Sequence, residues 1–111
     1  MESKFKYQLT QKAEADLDGI VSYIALELSK PQAAADFVDL LQESIEEVGS
    51  FPESGSPVVN EYLPGTEVRK KIVDNYIMYY LPDFTGEIIY ITRIIYGKRN
   101  MDEIFRKLDL T

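Results

Sequence analysis

Alternation opens the chain. Phe5, Tyr7 and Leu9 are apolar, while Lys4, Lys6 and Gln8 between them are polar. A period of two predicts a strand with one buried face over residues 4–9. The period then changes. Ala13, Leu17, Ile20, Ile24 and Leu28 fall three or four apart, which predicts a helix over about residues 11–28 with one apolar stripe. Thr10 precedes it with a hydroxyl that can accept from first-turn amides. Glu14, Asp16 and Asp18 suit the positive end of the helix dipole. Gly19 is a flaw there, costing roughly 1 kcal/mol against alanine unless close packing needs it.

Ser29-Lys30-Pro31 interrupts the stripe, and Pro31 fits the first position of a second helix, where its missing N–H is not needed. Ala34, Phe37, Leu41, Ile45 and Val48 resume the helical spacing, with Leu40 widening the stripe. This helix is predicted to end near Gly49, which tolerates a left-handed cap. The short connection makes the two helices an antiparallel hairpin. Over residues 50–67 periodicity disappears. Pro52, Gly55, Pro57, Pro64 and Gly65 mark a long loop, with Phe51 and Tyr62 as the apolar groups that would pin it to the core.

Three strand candidates follow. Residues 68–73 are short and mixed. Asp74-Asn75 is a two-residue hairpin turn, since both side chains tolerate positive φ. Residues 76–81 are rich in tyrosine. Residues 82–86 turn, and residues 87–96 are rich in isoleucine on both parities, which predicts a central strand buried on both faces. A last helix is expected from Asn100 or Asp102 to about Leu108, anchored by Ile104, Phe105 and Leu108. The order β-αα-βββ-α predicts an α+β fold: a helical hairpin packed on one face of a small, mainly antiparallel sheet. A single domain is expected over residues 1–111.

Composition narrows the chemistry. The chain has no cysteine and no histidine. Thiol catalysis, disulfides, imidazole bases and histidine zinc ligands are thereby excluded. Acid–base work would fall to carboxylates, lysine, arginine or tyrosine. No metal or cofactor is expected. No window supplies the ~20 apolar residues of a membrane helix, and the N-terminus lacks a signal-peptide core, so the cytoplasm is expected. The net charge of −7 hides an asymmetry. Residues 1–68 hold 4 basic and 13 acidic side chains, whereas residues 69–107 hold 8 basic and 5 acidic. A basic C-terminal third on an acidic body hints at an anionic partner. The overall acidity argues against direct DNA binding, which draws on many phosphate contacts.

The series of motifs resembles a known family. Residues 7–24 contain Thr10 followed by Ala13, Asp16-Leu17, Ile20 and Tyr23, similar to the opening strand and first helix of ParE toxins. Pro31 with residues 33–37 resembles the start of their second helix. Phe51-Pro52 with Gly55 is similar to their Phe-Pro-x-x-Gly loop. Arg69, Tyr76, Tyr80 and the run Arg93-Ile94-Ile95-Tyr96-Gly97-Lys98-Arg99 resemble their closing strands and basic turn. The chain is identified as a member of the RelE/ParE toxin superfamily of type II toxin–antitoxin systems, closer to ParE. That resemblance implies a cognate antitoxin as partner and DNA gyrase as target.

RelE-like members of the superfamily cleave mRNA on the ribosome without a metal. Such cleavage needs a base, a proton donor and cations around the phosphorane. Arg99 matches the arginine after the last strand, and Lys70 matches a strand lysine. Ile77 stands where an arginine would stand, and Phe105 takes the place of the C-terminal tyrosine. The resemblance therefore implies a ParE-like protein inhibitor. The alternatives are a RelE-like endoribonuclease using Lys70 and Arg99, and a non-toxic binding module on the same fold. Candidate residues for binding target or antitoxin are Arg69, Arg93, Tyr96, Lys98 and Arg99. The arginines are expected to project from the sheet face opposite the helices, or else to pair with carboxylates such as Glu67 or Asp102.

Overall fold

The computed structural model describes residues 4–58 and 67–97. Strand β1 (Lys6–Leu9) leads into α1 (Gln11–Ser22), which ends in a π-helical turn, Tyr23–Glu27. Helix α2 (Pro31–Ser50), a two-residue strand β2 (Ser56–Pro57), and strands β3 (Arg69–Val73), β4 (Tyr76–Asp83) and β5 (Ile88–Tyr96) follow. The five strands form one sheet in the order β1-β5-β4-β3-β2. Only β1 and β5 run parallel; the other three pairings are antiparallel. The α+β architecture is as expected, but the middle strand is β4, and β5 lies between β1 and β4. The expected last helix, with Phe105, lies outside the described residues, as do Tyr62, Pro64 and Gly65.

Local chemistry explains the helix ends. The Thr10 hydroxyl accepts from the Ala13 amide at 3.2 Å and donates to the Thr92 carbonyl at 3.0 Å. One side chain thus caps α1 and ties its start to β5. At the other end the predicted helix widens: the Leu28 amide reaches the Tyr23 carbonyl, five residues back, at 3.0 Å. Ser29 then takes the left-handed conformation (φ 54°), and Pro31 starts α2.

The core lies between the hairpin and one sheet face. Ala13 and Ile20 of α1 and Phe37, Leu41, Ile45 and Val48 of α2 are buried. They meet Val73, Met78, Tyr80, Ile89, Ile91 and Ile94 from the strands. The alternation of β1 is only half used: Phe5 and Leu9 pack on this core, but Tyr7 stays 48% exposed on its edge strand.

Three sequence expectations are corrected. Gly49 is not a left-handed cap; it lies inside α2 beside β1, where a Cβ would stand 3.1 Å from the Phe5 carbonyl oxygen. The 50–67 loop is not wholly irregular, because Ser56 and Pro57 pair with Lys70 and Arg69. A two-residue strand has no periodicity to read, and Pro57 suits an edge. Phe51 does not pin that loop, being 59% exposed. Tyr80 does: its buried hydroxyl accepts from the Gly55 amide and donates to the Pro52 carbonyl, both at 2.9 Å.

Gly19 meets nothing within 4 Å of an added Cβ, so no packing need offsets its helix penalty. Gly19→Ala is expected to stabilise the protein by about 0.5–1 kcal/mol, read as a raised urea midpoint with unchanged slope.

Candidate functional site

Strand alternation decides which face each cation takes. β3 pairs Arg69 with Tyr80, Lys71 with Met78 and Val73 with Tyr76. Tyr80, Met78 and Val73 belong to the helix-side core, so Arg69 and Lys71 lie on the helix side too. Of the two expectations for Arg69, the structure realises pairing within the fold, with Glu53 as the carboxylate. Its guanidinium donates to the Gly55 carbonyl at 2.7 Å and the Glu53 carbonyl at 3.2 Å, and it pairs with the Glu53 carboxylate at 3.5 Å. Lys71 pairs with Glu47 of α2. The remaining β3 cation, Lys70, is exposed and faces away from the helices beside Tyr79.

Arg93 is likewise not free to project. β1 ends at Leu9, beside Ile91, so among the described residues the rest of β5 has no strand on that side. Helix α1 supplies the missing partner. Asp16 accepts from Arg93 Nε at 2.7 Å and from its Nη2 at 3.0 Å, and also from the Ile94 amide at 3.0 Å. The bond to Asp16, more than any other influence, holds the Arg93 guanidinium above its ordinary pKa. The carboxylate is Asp16 rather than Glu67, and Asp102 lies outside the described residues. The likeness of Asp16-Leu17 to the family's first helix was the signal for it.

The sheet face opposite the helices carries an apolar cluster where described, with Lys70 exposed beside it. Val68 and Tyr79 are buried there, with Val58, Ile77 and Leu81 packed against them. Ile72, on the same parity of β3, is 74% exposed. Lys98 and Arg99 lie outside the described residues.

Of the candidate residues, Tyr96 lines a cleft. It lies at the end of β5, paired with Tyr76, some four residues along β4 from Arg69's partner Tyr80, about 13 Å away. The structure thus separates Tyr96 from Arg69. The cleft holds about 950 Å³ between the helical hairpin and the β3–β4 turn. Its walls are aromatic. The Tyr76 ring stands 5.0 Å from Phe37 and 5.7 Å, edge-on, from Tyr96, with Tyr23 also lining the space. Asp36, Asp74 and Lys30 are its charged groups. Sequence reasoning missed this site because its walls come from four separate segments.

Burial raises the pKa of Tyr76, as do the neighbouring Tyr23, Tyr96 and Asp74, and burial raises that of Tyr79. The fold therefore binds these phenolic protons more tightly than the unfolded chain does. Their contribution is full below the ordinary value of 10.0 and is lost as pH climbs through the raised values. Urea midpoints are expected to fall as pH rises above about 10, and less steeply in Tyr76→Phe. Among the described residues, no group of three or more His, Cys, Asp or Glu could hold a metal ion, and no helix is long and apolar enough to cross a membrane.

Comparison with known proteins gives consistent likenesses. A family model described as the ParE toxin of the type II toxin–antitoxin system parDE matches residues 7–101. The chain is similar to a solved structure of the chromosomal ParDE TA system from P. aeruginosa, at 26% identity and a TM-score of 0.64, covering 86% of this chain and 98% of that one. It also resembles, in fold, a chain of the RelBE2 toxin–antitoxin complex from Mycobacterium tuberculosis, at 20% identity and a TM-score of 0.56, covering 84% and 98%. No curated protein matches.

Proposed function

The chain belongs to the ParE toxin family of type II toxin–antitoxin systems, and from that premise we propose that it inhibits DNA gyrase by protein contact and is neutralised by a cognate antitoxin. The observation that carries this reading is the family match over residues 7–101. Likeness to a solved ParDE system supports an antitoxin as the partner.

The site chemistry supports inhibition over RNA cleavage. Ile77, where nucleolytic relatives would present an arginine, sits within the apolar cluster of the sheet. Phe105 has no proton to give. Arg69 and Arg93 are committed to partners within the fold, which leaves Lys70 as the described strand cation open to solvent. A phosphorane needs several cations converging on it. Binding through surface shape asks for none. The reading puts the site of action in the cytoplasm, with no membrane, cofactor or direct DNA contact required.

The test is a gyrase supercoiling assay with purified protein. Inhibition or trapped cleavage complexes are expected, and the cognate antitoxin is expected to abolish them. Normal supercoiling together with ribosomal A-site cuts by primer extension would establish the endoribonuclease alternative instead. Normal growth on induction without antitoxin would point to a non-toxic module.

A further inference from the structure

The aromatic cleft is unexplained by the core. Tyr23, Leu28, Leu40 and Tyr96 all line it, and each is between 41% and 51% exposed. Soluble proteins seldom leave such an apolar concentration uncovered, and a contiguous exposed patch commonly marks an interaction site. The π-helical turn contributes directly, since Tyr23 and Ile24 belong to it and line the cleft. Turns of this kind are often kept at functional positions.

Charge specifies the occupant. Among the described residues, the cleft is lined by two carboxylates, Asp36 and Asp74, against one cation, Lys30. Asp36 already accepts from Gln32 at 2.9 Å through one oxygen, Oδ1, which leaves Oδ2 for another donor. Aromatic faces attract a cation through their quadrupole, and a guanidinium also stacks flat on a ring and presents a fork of donors to a carboxylate. An ammonium cannot do the last two.

We propose that this cleft is a docking site for a partner-protein segment that carries one arginine between apolar residues, with the guanidinium against Tyr23, Tyr76 and Tyr96 and its N–H groups directed to Asp36 and Asp74. The flanking apolar side chains cover Leu28 and Leu40. The inference goes beyond the toxin reading and does not depend on which target the toxin inhibits.

The probe is acetyl-Leu-Arg-Leu-amide, titrated into isotopically labelled protein and followed by NMR, beside the same peptide with uncharged citrulline in place of arginine. Saturable shifts at Tyr23, Tyr76 and Tyr96 are expected, with the arginine peptide binding about tenfold more tightly. The double variant Asp36→Asn/Asp74→Asn is expected to remove that preference and leave citrulline-peptide binding unchanged. Lys30→Ala, which removes the competing cation, is expected to tighten arginine-peptide binding. Thermal melts establish that each variant folds. Equal binding of the two peptides, no saturable binding, or shifts confined to another face would overturn the proposal. So would dilution-dependent shifts of the cleft residues without peptide, which would mean that a second copy of this chain fills it. A negative gyrase assay leaves these outcomes untouched.

Discussion

Asp16→Ala is expected to destabilise the protein by about 3–4 kcal/mol, a large share of a typical folding margin of about 5–15 kcal/mol. The side chains of Asp16 and Arg93 are only 16% and 17% exposed. Their pairing is bidentate, and the same carboxylate takes the Ile94 amide. Alanine would leave a mostly buried guanidinium without its counter-charge and an edge amide without an acceptor. Both losses act at one place. The double variant Asp16→Ala/Arg93→Met is expected to be more stable than Asp16→Ala alone, because the orphaned charge is gone. Urea denaturation of the four proteins in this cycle measures both effects. A loss under about 1 kcal/mol in Asp16→Ala would mean that solvent screens the pair as it does at a surface.

Gly55→Ala is expected to cost about 3 kcal/mol by a different route. A Cβ at this buried position would stand 2.5 Å from the Tyr80 hydroxyl oxygen and 2.6 Å from the Lys70 carbonyl oxygen. Neither neighbour yields easily, since one is strand backbone and the other is fixed by two hydrogen bonds. Relief requires the loop to lift, which breaks the Gly55–Tyr80 bond and the Arg69 bond to the Gly55 carbonyl and loosens β2. Overpacking alone accounts for about 1–3 kcal/mol, and the stranded buried polar groups add to it. Tyr80→Phe keeps the ring and removes only the hydroxyl, so a smaller loss of about 1–2 kcal/mol is expected. Urea midpoints give both values, and faster hydrogen exchange at Gly55 in each variant would locate the damage.

The helices were legible because a 3.6-residue stripe survives any change of neighbours: Ala34, Phe37, Leu41, Ile45 and Val48 are buried as their spacing predicts. The strands were legible as strands, but their faces were not. β5 is apolar on both parities, which hides the irregularity opposite Tyr79 and Tyr80, where the register with β4 slips by one residue. Past that point simple alternation fails: Ile89 and Ile91 are followed in the core by Ile94 rather than by Arg93. The face of Arg69 was left open for a related reason, since nothing local in β3 states which parity meets the helices. The Phe-Pro-x-x-Gly loop carried its own explanation, a glycine under a tyrosine hydroxyl, but the tyrosine is 25 residues away. The cleft around Tyr96 was invisible for the same cause.

The parallel pairing of β1 with β5 sets Lys6–Leu9 against Ile88–Ile91, and the Thr10 hydroxyl spans 82 residues to reach the Thr92 carbonyl. Local helix and hairpin formation is fast, whereas joining distant segments must first offset the entropy of closing a long loop. During synthesis, a nascent polypeptide ending before residue 88 lacks β5, the strand that pairs with both β1 and β4. Closure of the sheet is thereby deferred until residues 88–96 have been made, and a product terminated before them lacks the strand that joins β1 to β4.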